Sequence, residues 1–379
     1  MQENKKLIIK RAAKTAAFTV AGGVAFLALG DTASADVVVQ DTDVTNAGVG
    51  VANSGGNVAV GNASQNTAGT GQVALGGGLA SNVANTSNES NGTAVIETGN
   101  ADATGNSSST EVEQQAATDD GPGLDVVVQD NDVTNAGIGL ANTGGNVGIG
   151  NVSQNNAITG QLAAGFLASN VANTENSSDG TVGIVTGDAS AVGNHSATKV
   201  KQDADAGDGP GLDVIVQSTD VDNLGIGLAN TGGNIGIGNA SQNSAATLQG
   251  AFGFLASNIA NTKNSSNGGV FIKTGDASAA GNVSETDIEQ AAHTDGVGLN
   301  VVWQPVTVTN AGIGAANTGG NVGIGNASVN AAWVVQVAFG PFASNIATTE
   351  NWSDGFVFEL TGDASAIGNH SSTGVKQYA

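Results

Sequence analysis

The chain has 379 residues, of which 58 are Gly, 42 are Asn, 4 are Pro and none is Cys. Aromatic residues make up 4% and charged residues 11% of the chain, which excludes an ordinary globular core of large side chains, and the scarcity of Pro excludes collagen. Apolar residues still reach 39%, which is too many for a disordered chain.

The first predicted element is a secretory signal peptide at residues 1–35. Basic residues end at Lys14, an apolar run extends from Ala16 to Leu29, and the small residues Ala33, Ser34 and Ala35 follow. A basic start, a short apolar middle and a small-residue end are typical of a cleaved export signal. We therefore expect the mature chain to be secreted, at the cell surface or extracellular, with no membrane span.

The mature chain is strongly acidic. After residue 35 it contains five Lys, no Arg and 31 acidic residues, which gives a formal net charge of −26. Nucleic-acid binding needs clustered basic groups, so nucleic acid is excluded as a partner. The absence of Cys means that disulfides do not stabilise the exported protein.

Four repeats of about 88 residues follow the signal peptide. The segment Gly-Gly-Asn recurs with spacings of 89, 88 and 87, ending at Asn57, Asn146, Asn234 and Asn321. The repeats are assigned to residues 36–124, 125–212, 213–299 and 300–379. No linker separates them, so we predict one continuous body.

A shorter period lies within each repeat. Polar residues recur in steps of 21 to 23, at Gln40, Asn62, Asn85, Asn106 and Gln129. Gly alternates with Val, Ile or Leu in 137–140 and 146–150, which is typical of a strand. The segment Asn-Thr-Gly-Gly at 142–145 is typical of a turn. We predict an all-β, parallel β-solenoid (β-helix) of about 22-residue coils, some 15 coils in a rod on the order of 75 Å long. An array of four β-sandwich domains is the alternative.

Stacked coils would explain the excess of Asn. Equivalent side chains in successive coils lie about 4.8 Å apart, and stacked amides can hydrogen-bond to one another along the axis. The ladder candidates are Asn62, Asn151, Asn239 and Asn326. The sequence leaves open whether they point into the solenoid or away from it.

Two families of repeats resemble parts of this chain. The 22-residue strand–arc–strand unit with periodic Gln, Asn, Gly and Ala is similar to the curlin repeats of bacterial curli fibres. The segments 57–64 and 189–196 resemble the head repeats of YadA-like adhesins. Both resemblances imply a bacterial, extracellular β-solenoid that assembles or adheres.

Acidic pairs at the end of the first strand of three repeats are candidates for Ca²⁺ binding, because clustered carboxylates at loops can hold this ion. They are Asp41 and Asp43, Asp130 and Asp132, and Asp220 and Asp222. Solvated surface acids are the alternative interpretation. We predict no other metal site, no cofactor and no catalytic residue.

Aromatic residues increase from none in the first repeat to eight in the fourth. The interaction candidates are Trp303, Trp333, Phe339, Phe342, Trp352, Phe356 and Phe358. They indicate either a bulky C-terminal cap that protects the open end of the solenoid or a docking end. The cap and the docking end remain alternatives.

The sequence therefore predicts a secreted, non-enzymatic structural or adhesive protein of a bacterial surface, matrix or fibre. Its expected partners are further copies of itself or components of the cell envelope or matrix. The alternative function is a monomeric solenoid that binds an extended surface such as a polysaccharide, a mineral or ice.

Overall fold

A computed structural model describes residues 34–294 and 298–379. The predicted signal peptide lies outside these residues, apart from its last two positions. The described residues form 17 strands and no helix, and every strand pair is parallel. The prediction of an all-β, parallel solenoid is confirmed.

The strands, numbered in chain order, form four sheets. Sheet A contains β1 (Ser34–Asn53), β5 (Gly123–Asn142), β9 (Gly211–Asn230), β13 (Leu299–Trp303) and β14 (Val306–Asn317). Sheet B contains β2 (Val58–Leu75), β6 (Val147–Ala164), β10 (Ile235–Phe252) and β15 (Val322–Phe339). Sheet C contains β3 (Leu79–Glu97), β7 (Leu167–Val185), β11 (Leu255–Lys273) and β16 (Phe342–Leu360). Sheet D contains β4 (Ala101–Ala117), β8 (Ala189–Asp205), β12 (Ala277–His293) and β17 (Ala364–Tyr378).

Each coil of the solenoid is a whole repeat, so the predicted 22-residue coil is wrong. β1 pairs with β5, and Val44 lies beside Val133, 89 residues later, rather than beside a residue 22 positions away. Coil 1 is β1–β4, coil 2 is β5–β8, coil 3 is β9–β12 and coil 4 is β13–β17. The 22-residue period is the length of one strand and its turn. Four coils about 4.8 Å apart give a stack only about 19 Å thick, not a 75 Å rod.

Identical residues stack on one another, which is the physical reason for the long coil. We call a set of residues at the same position in successive coils a column. The 22-residue units within one repeat differ in sequence, whereas units 88 residues apart place Val over Val and Asn over Asn. Only the 88-residue coil places most buried amides and most buried apolar side chains beside residues of the same type.

Each coil is a thin double layer in which sheet A faces sheet D and sheet B faces sheet C. Glycines mark the positions of closest approach. A Cβ atom built on Gly137 of β5 would lie 2.0 Å from the carbonyl oxygen of Gly193 in β8. At Gly150 of β6 it would lie 2.5 Å from the backbone nitrogen of Thr181 in β7. The Gly-x-Gly pairs are therefore contact points between two backbones.

Small and polar side chains fill the interior, and many large apolar side chains point outward. In β6, Ser153, Asn155 and Ala157 are buried, whereas the alternate residues Val152 and Ile158 are 41% and 50% exposed. Interior apolar clusters consist largely of Ala, with Val and Ile columns such as Val133 and Val221. The gap between the layers is too narrow for larger groups.

Turns between sheets A and B repeat in every coil. Gly145, at the end of Asn-Thr-Gly-Gly, has φ of 75°, and Gly233 and Gly320 have 77° and 75°, as expected for a residue without a Cβ. In coil 4, sheet A is interrupted at Pro305, between β13 and β14. Proline has no N–H to give to a ladder, so it divides the strand.

Candidate functional site

The predicted Asn ladder lies inside the solenoid. The Nδ2 of Asn62 donates to the Oδ1 of Asn151 at 2.7 Å, and Asn151 donates to Asn239 at 3.0 Å. Asn239 in turn donates to Asn326 at 3.2 Å. Asn151 and Asn239 are fully buried, so the column points inward, which answers the question that the sequence leaves open.

The amide columns have a direction. In seven Asn columns the side chain of each coil donates to the next coil toward coil 4; they begin at Asn46, Asn57, Asn62, Asn66, Asn82, Asn88 and Asn106. In three Gln columns and in one more exposed Asn column each coil donates toward coil 1; they begin at Gln40, Gln72, Gln114 and Asn53. The two ends of the stack therefore present different sets of hydrogen-bond donors and acceptors from the interior columns.

Both ends of the stack are open in the part of the chain that the structure describes. Coil 4 supplies the outermost strand of every sheet at one end, and coil 1 does so at the other. All residues of β16 are exposed, and nearly all of β17. An outermost strand presents unpaired N–H and C=O groups that can pair with another chain.

Charged side chains on the outside of sheet D also form columns. One column reads Glu113, Lys201, Glu289 and Lys376, so the sign of the charge alternates from coil to coil. The Nζ of Lys201 lies 3.7 Å from a carboxylate oxygen of Glu113. Beside it, Lys199 donates to Glu111 at 2.8 Å and lowers the pKa of that carboxyl.

A stack of acidic residues is buried near the start of sheet A. Asp36, Asp125 and Asp213 occupy one column, and Asn300 continues it in coil 4. Asp125 is 4% and Asp213 is 1% exposed. Burial, followed by the charges of Asp213, Asp36 and Asp119, raises the pKa of Asp125 to about 6, and burial also raises the pKa of Asp213.

The acidic pairs considered for Ca²⁺ lie on sheet A, but the third pair is out of phase with the others. Asp220 stacks on Asp132, whereas Asp222 stacks on Thr134. Within residues 34–294 and 298–379, no group of three or more His, Cys, Asp or Glu side chains is placed to hold a metal ion. Asp43, Asp132 and Asp220 therefore form one column of acidic residues along sheet A, and Ca²⁺ binding by these pairs stays a prediction.

The seven aromatic interaction candidates of coil 4 point outward from three sheets. Trp303 belongs to sheet A, Trp333 and Phe339 to sheet B, and the remaining four, Phe342, Trp352, Phe356 and Phe358, to sheet C. Each is between 44% and 73% exposed. Because they project sideways, they do not cover the backbone edge of coil 4, as a cap would. Some extend columns of aromatic rings: Phe271 stacks on Phe358 with 5.4 Å between centroids.

Comparison with protein-family models, curated proteins and solved structures finds no match to this chain. The resemblance to curlin and adhesin repeats therefore stays a prediction. The described residues contain no helix that is long and apolar enough to cross a membrane.

Proposed function

We propose that this protein is a structural protein that assembles end to end into fibres, coil 4 of one copy stacking on coil 1 of the next. The proposal rests on the interior amide columns, in each of which the hydrogen bonds between stacked side chains all point in the same direction along the stack. A further coil placed above coil 4 would continue the backbone ladders, except at Pro305, and the seven Asn and three Gln columns with the same residues that already stack inside the chain.

The direction of the columns selects a head-to-tail contact. At coil 4 the seven Asn columns end in N–H groups, and at coil 1 they begin with amide oxygens. For example, Asn282 donates to Asn369 at 2.7 Å, and the Nδ2 of Asn369 would next donate to Asn106 of another copy. Two coil 4 faces would offer the same excess of N–H groups to each other. A head-to-tail contact does not close on itself, so it generates an open filament.

Surface charge supports the same register. Lys376 ends the alternating column that begins with Glu113. Stacking coil 4 on coil 1 would place this lysine beside Glu113 of the next copy, which continues the alternation. Exposed ion pairs contribute little affinity, but opposite charges disfavour slipped registers.

A secreted, non-enzymatic role in a bacterial surface, matrix or fibre fits this assembly. The signal-peptide pattern of residues 1–35 supports export. Many identical contacts along a fibre would sum weak interactions with a surface or matrix. The competing function is a monomeric solenoid that binds an extended ligand.

An isosteric substitution at the end of one column tests the assembly. In Asn369→Asp, one carboxylate oxygen still accepts from Asn282, so the single chain should fold. The other oxygen replaces the N–H that would donate to Asn106 of the next copy. The matched control is Thr348→Asp, which adds the same charge to an outward position of coil 4.

We expect the mature protein to form fibres with a reflection near 4.8 Å along the fibre axis. Asn369→Asp should slow elongation at least tenfold, because it buries an unpaired carboxylate, and Thr348→Asp should remain within about threefold of the parent. Discrete monomers at all concentrations, or normal elongation of Asn369→Asp, would refute end-to-end assembly. Monomers that bind a polysaccharide or mineral would favour the competing function.

A further inference from the structure

The outer surface of sheet B carries no charge. The strands β2, β6, β10 and β15 contain no Asp, Glu, Lys or Arg, although the mature chain has 31 acidic residues. We call the outward side chains of these four strands the uncharged face. Its exposed members include Val73 at 66%, Ile158 at 50%, Val337 at 51% and Phe339 at 73%.

The uncharged face is large enough for a specific protein interface. Each strand has 18 residues, so at about 3.3 Å per residue and about 4.8 Å between strands the face measures about 1,100 Å². A stable interface takes about 800 Å² from each partner, and the largest apolar patch on a typical monomer is about 300–600 Å². The face, which also includes polar positions such as Gln154 and Asn156, therefore exceeds the area that a stable interface takes from each partner.

The distribution of charge favours a second copy as the occupant. The outer surfaces of the neighbouring sheets carry charge, such as the acidic column of Asp43 and Asp132 on sheet A and the column of Glu175 and Lys263 on sheet C. Two copies, each with a net charge of −26, approach with least repulsion where charge is absent. A membrane lacks this argument, because no basic residue in these four strands could contact lipid phosphate.

The sizes of the side chains define how two copies would face each other. A second copy can be generated by rotating the first by 180° about an axis that lies in the interface, parallel to the strands and midway between coils 2 and 3. This rotation keeps the strand direction and reverses the order of the coils. Column mates of coils 2 and 3, and of coils 1 and 4, then lie opposite each other. In the second half of the strands, four pairs between coils 2 and 3 are Ile158 with Ala246, Gly160 with Leu248, Leu162 with Gly250, and Ala164 with Phe252.

Each of these pairs sets a large side chain against a small one. Between coils 1 and 4, Trp333 would face Gly69 and Val335 would face Gly71, whereas Val73 would face Val337 and Leu75 would face Phe339 at the far end of the strands. If the coil order were kept instead, the bulky coil 4 would face coil 4 and the small coil 1 would face coil 1. The gap between the sheets would then be a wedge rather than an even layer about 10 Å thick.

We propose that two copies of this chain pair face to face through the uncharged face, with the order of their coils reversed. The pairing would bury the outward apolar side chains between two sheets in the manner of a steric zipper. It does not depend on end-to-end assembly, because a chain that fails to elongate would still form a dimer. In a fibre, the same contact would join two filaments of opposite polarity.

Sedimentation velocity tests the pairing. It is measured on Asn369→Asp, which should elongate slowly, and on the parent chain at a concentration too low for elongation. We expect a dimer. Ile158→Lys should weaken it at least a hundredfold, because it places a charge at the centre of the face. Thr181→Lys, an exposed position of the same coil on sheet C, should change it less than threefold. Far-ultraviolet circular dichroism confirms that each variant folds.

The coil order is tested by exchanging a large and a small side chain. No atom lies within 4 Å of a Cβ on Gly69, so Gly69→Trp should fold, but it would meet Trp333 of the second copy and weaken pairing at least tenfold. The double variant Gly69→Trp/Trp333→Gly should restore pairing. A dimer unaffected by Gly69→Trp would overturn the reversed order. Monomers at all concentrations would overturn the pairing, as would a monomer that binds zwitterionic phosphatidylcholine vesicles through this face.

Discussion

Removing the charge of Asp125 should stabilise the protein at neutral pH. Asp125 lies between Asp36 and Asp213 in one column of sheet A, and only 4% of it is exposed. Its pKa is raised by burial and by these neighbours from 3.8 to about 6. The folded state therefore binds this proton more tightly than the unfolded state does.

The sign and the size follow from this shift. Below about pH 4 the carboxyl is protonated in both states, and its contribution to stability is fully present. As the pH rises through about 6, the folded state must bury a carboxylate, and about 3 kcal/mol of stability is lost. Asp125→Asn avoids this loss, and Asn300 already occupies the same column in coil 4. We expect the variant to gain about 1–3 kcal/mol at pH 7 and almost nothing at pH 4.

Urea unfolding at pH 4 and pH 7, followed by circular dichroism, measures the difference. Asp43→Asn is the control, because it removes the same charge from an exposed position of the same sheet. If Asp125→Asn is no more stable than this control at pH 7, or gains equally at both pH values, the buried acid stack does not destabilise the fold and the reasoning is refuted.

Three further outcomes follow from the interior and the ends of the stack. Asn151→Ala removes the buried hydrogen bonds that this amide makes with its two stacked neighbours, so urea unfolding should show a loss of about 2–5 kcal/mol. Gly137→Ala places a Cβ 2.0 Å from a backbone oxygen of the facing layer, so circular dichroism should show that the chain does not fold. Lys376→Glu should raise the critical concentration for assembly about three- to tenfold at low salt. Lys273→Glu, whose column neighbours are uncharged, should change it less than twofold.

Much of the local structure could be predicted from particular residues. The alternation of Gly with Ile and Leu in 137–140 indicates a strand, and Asn-Thr-Gly-Gly at 142–145 indicates the turn in which Gly145 adopts a positive φ. The 88-residue repeat predicts columns of like residues. These features depend on neighbours in the sequence, so the sequence alone is enough to detect them.

The length of the coil could not be predicted from the 22-residue spacing. Residues such as Gln40, Asn62 and Asn106 recur at that spacing because each sheet contributes one of them, not because they stack. The stacking partner of Asn62 is Asn151, 89 residues away. The period of a sequence pattern gives the distance between similar residues along the chain. It does not identify which strands stack on each other, which depends on the match between side chains along the whole strand.

The side of each strand that faces inward was also not predictable from alternation. The usual rule buries Ile and exposes Asn, yet here Asn155 is fully buried and Ile158 is 50% exposed. The reason lies in the thin double layer: where Gly137 meets Gly193, no room remains for large groups. An amide can occupy such an interior only if a neighbour in the next coil satisfies it.

This dependence links the interior to the proposed assembly. A buried amide column is stable only in register, because a shift of one residue would set amides against apolar side chains and leave their polar groups unsatisfied. The same rule applies at the end of the chain. In the proposed assembly, the next partner of an amide of the last coil such as Asn369 is the amide at the same position in coil 1 of another copy. The only surface in the described structure that offers all of these amides in the right order and polarity is coil 1 of another copy. A solenoid built on polar columns thus specifies its own end-to-end partner more closely than one with an apolar interior, where a slipped register costs far less.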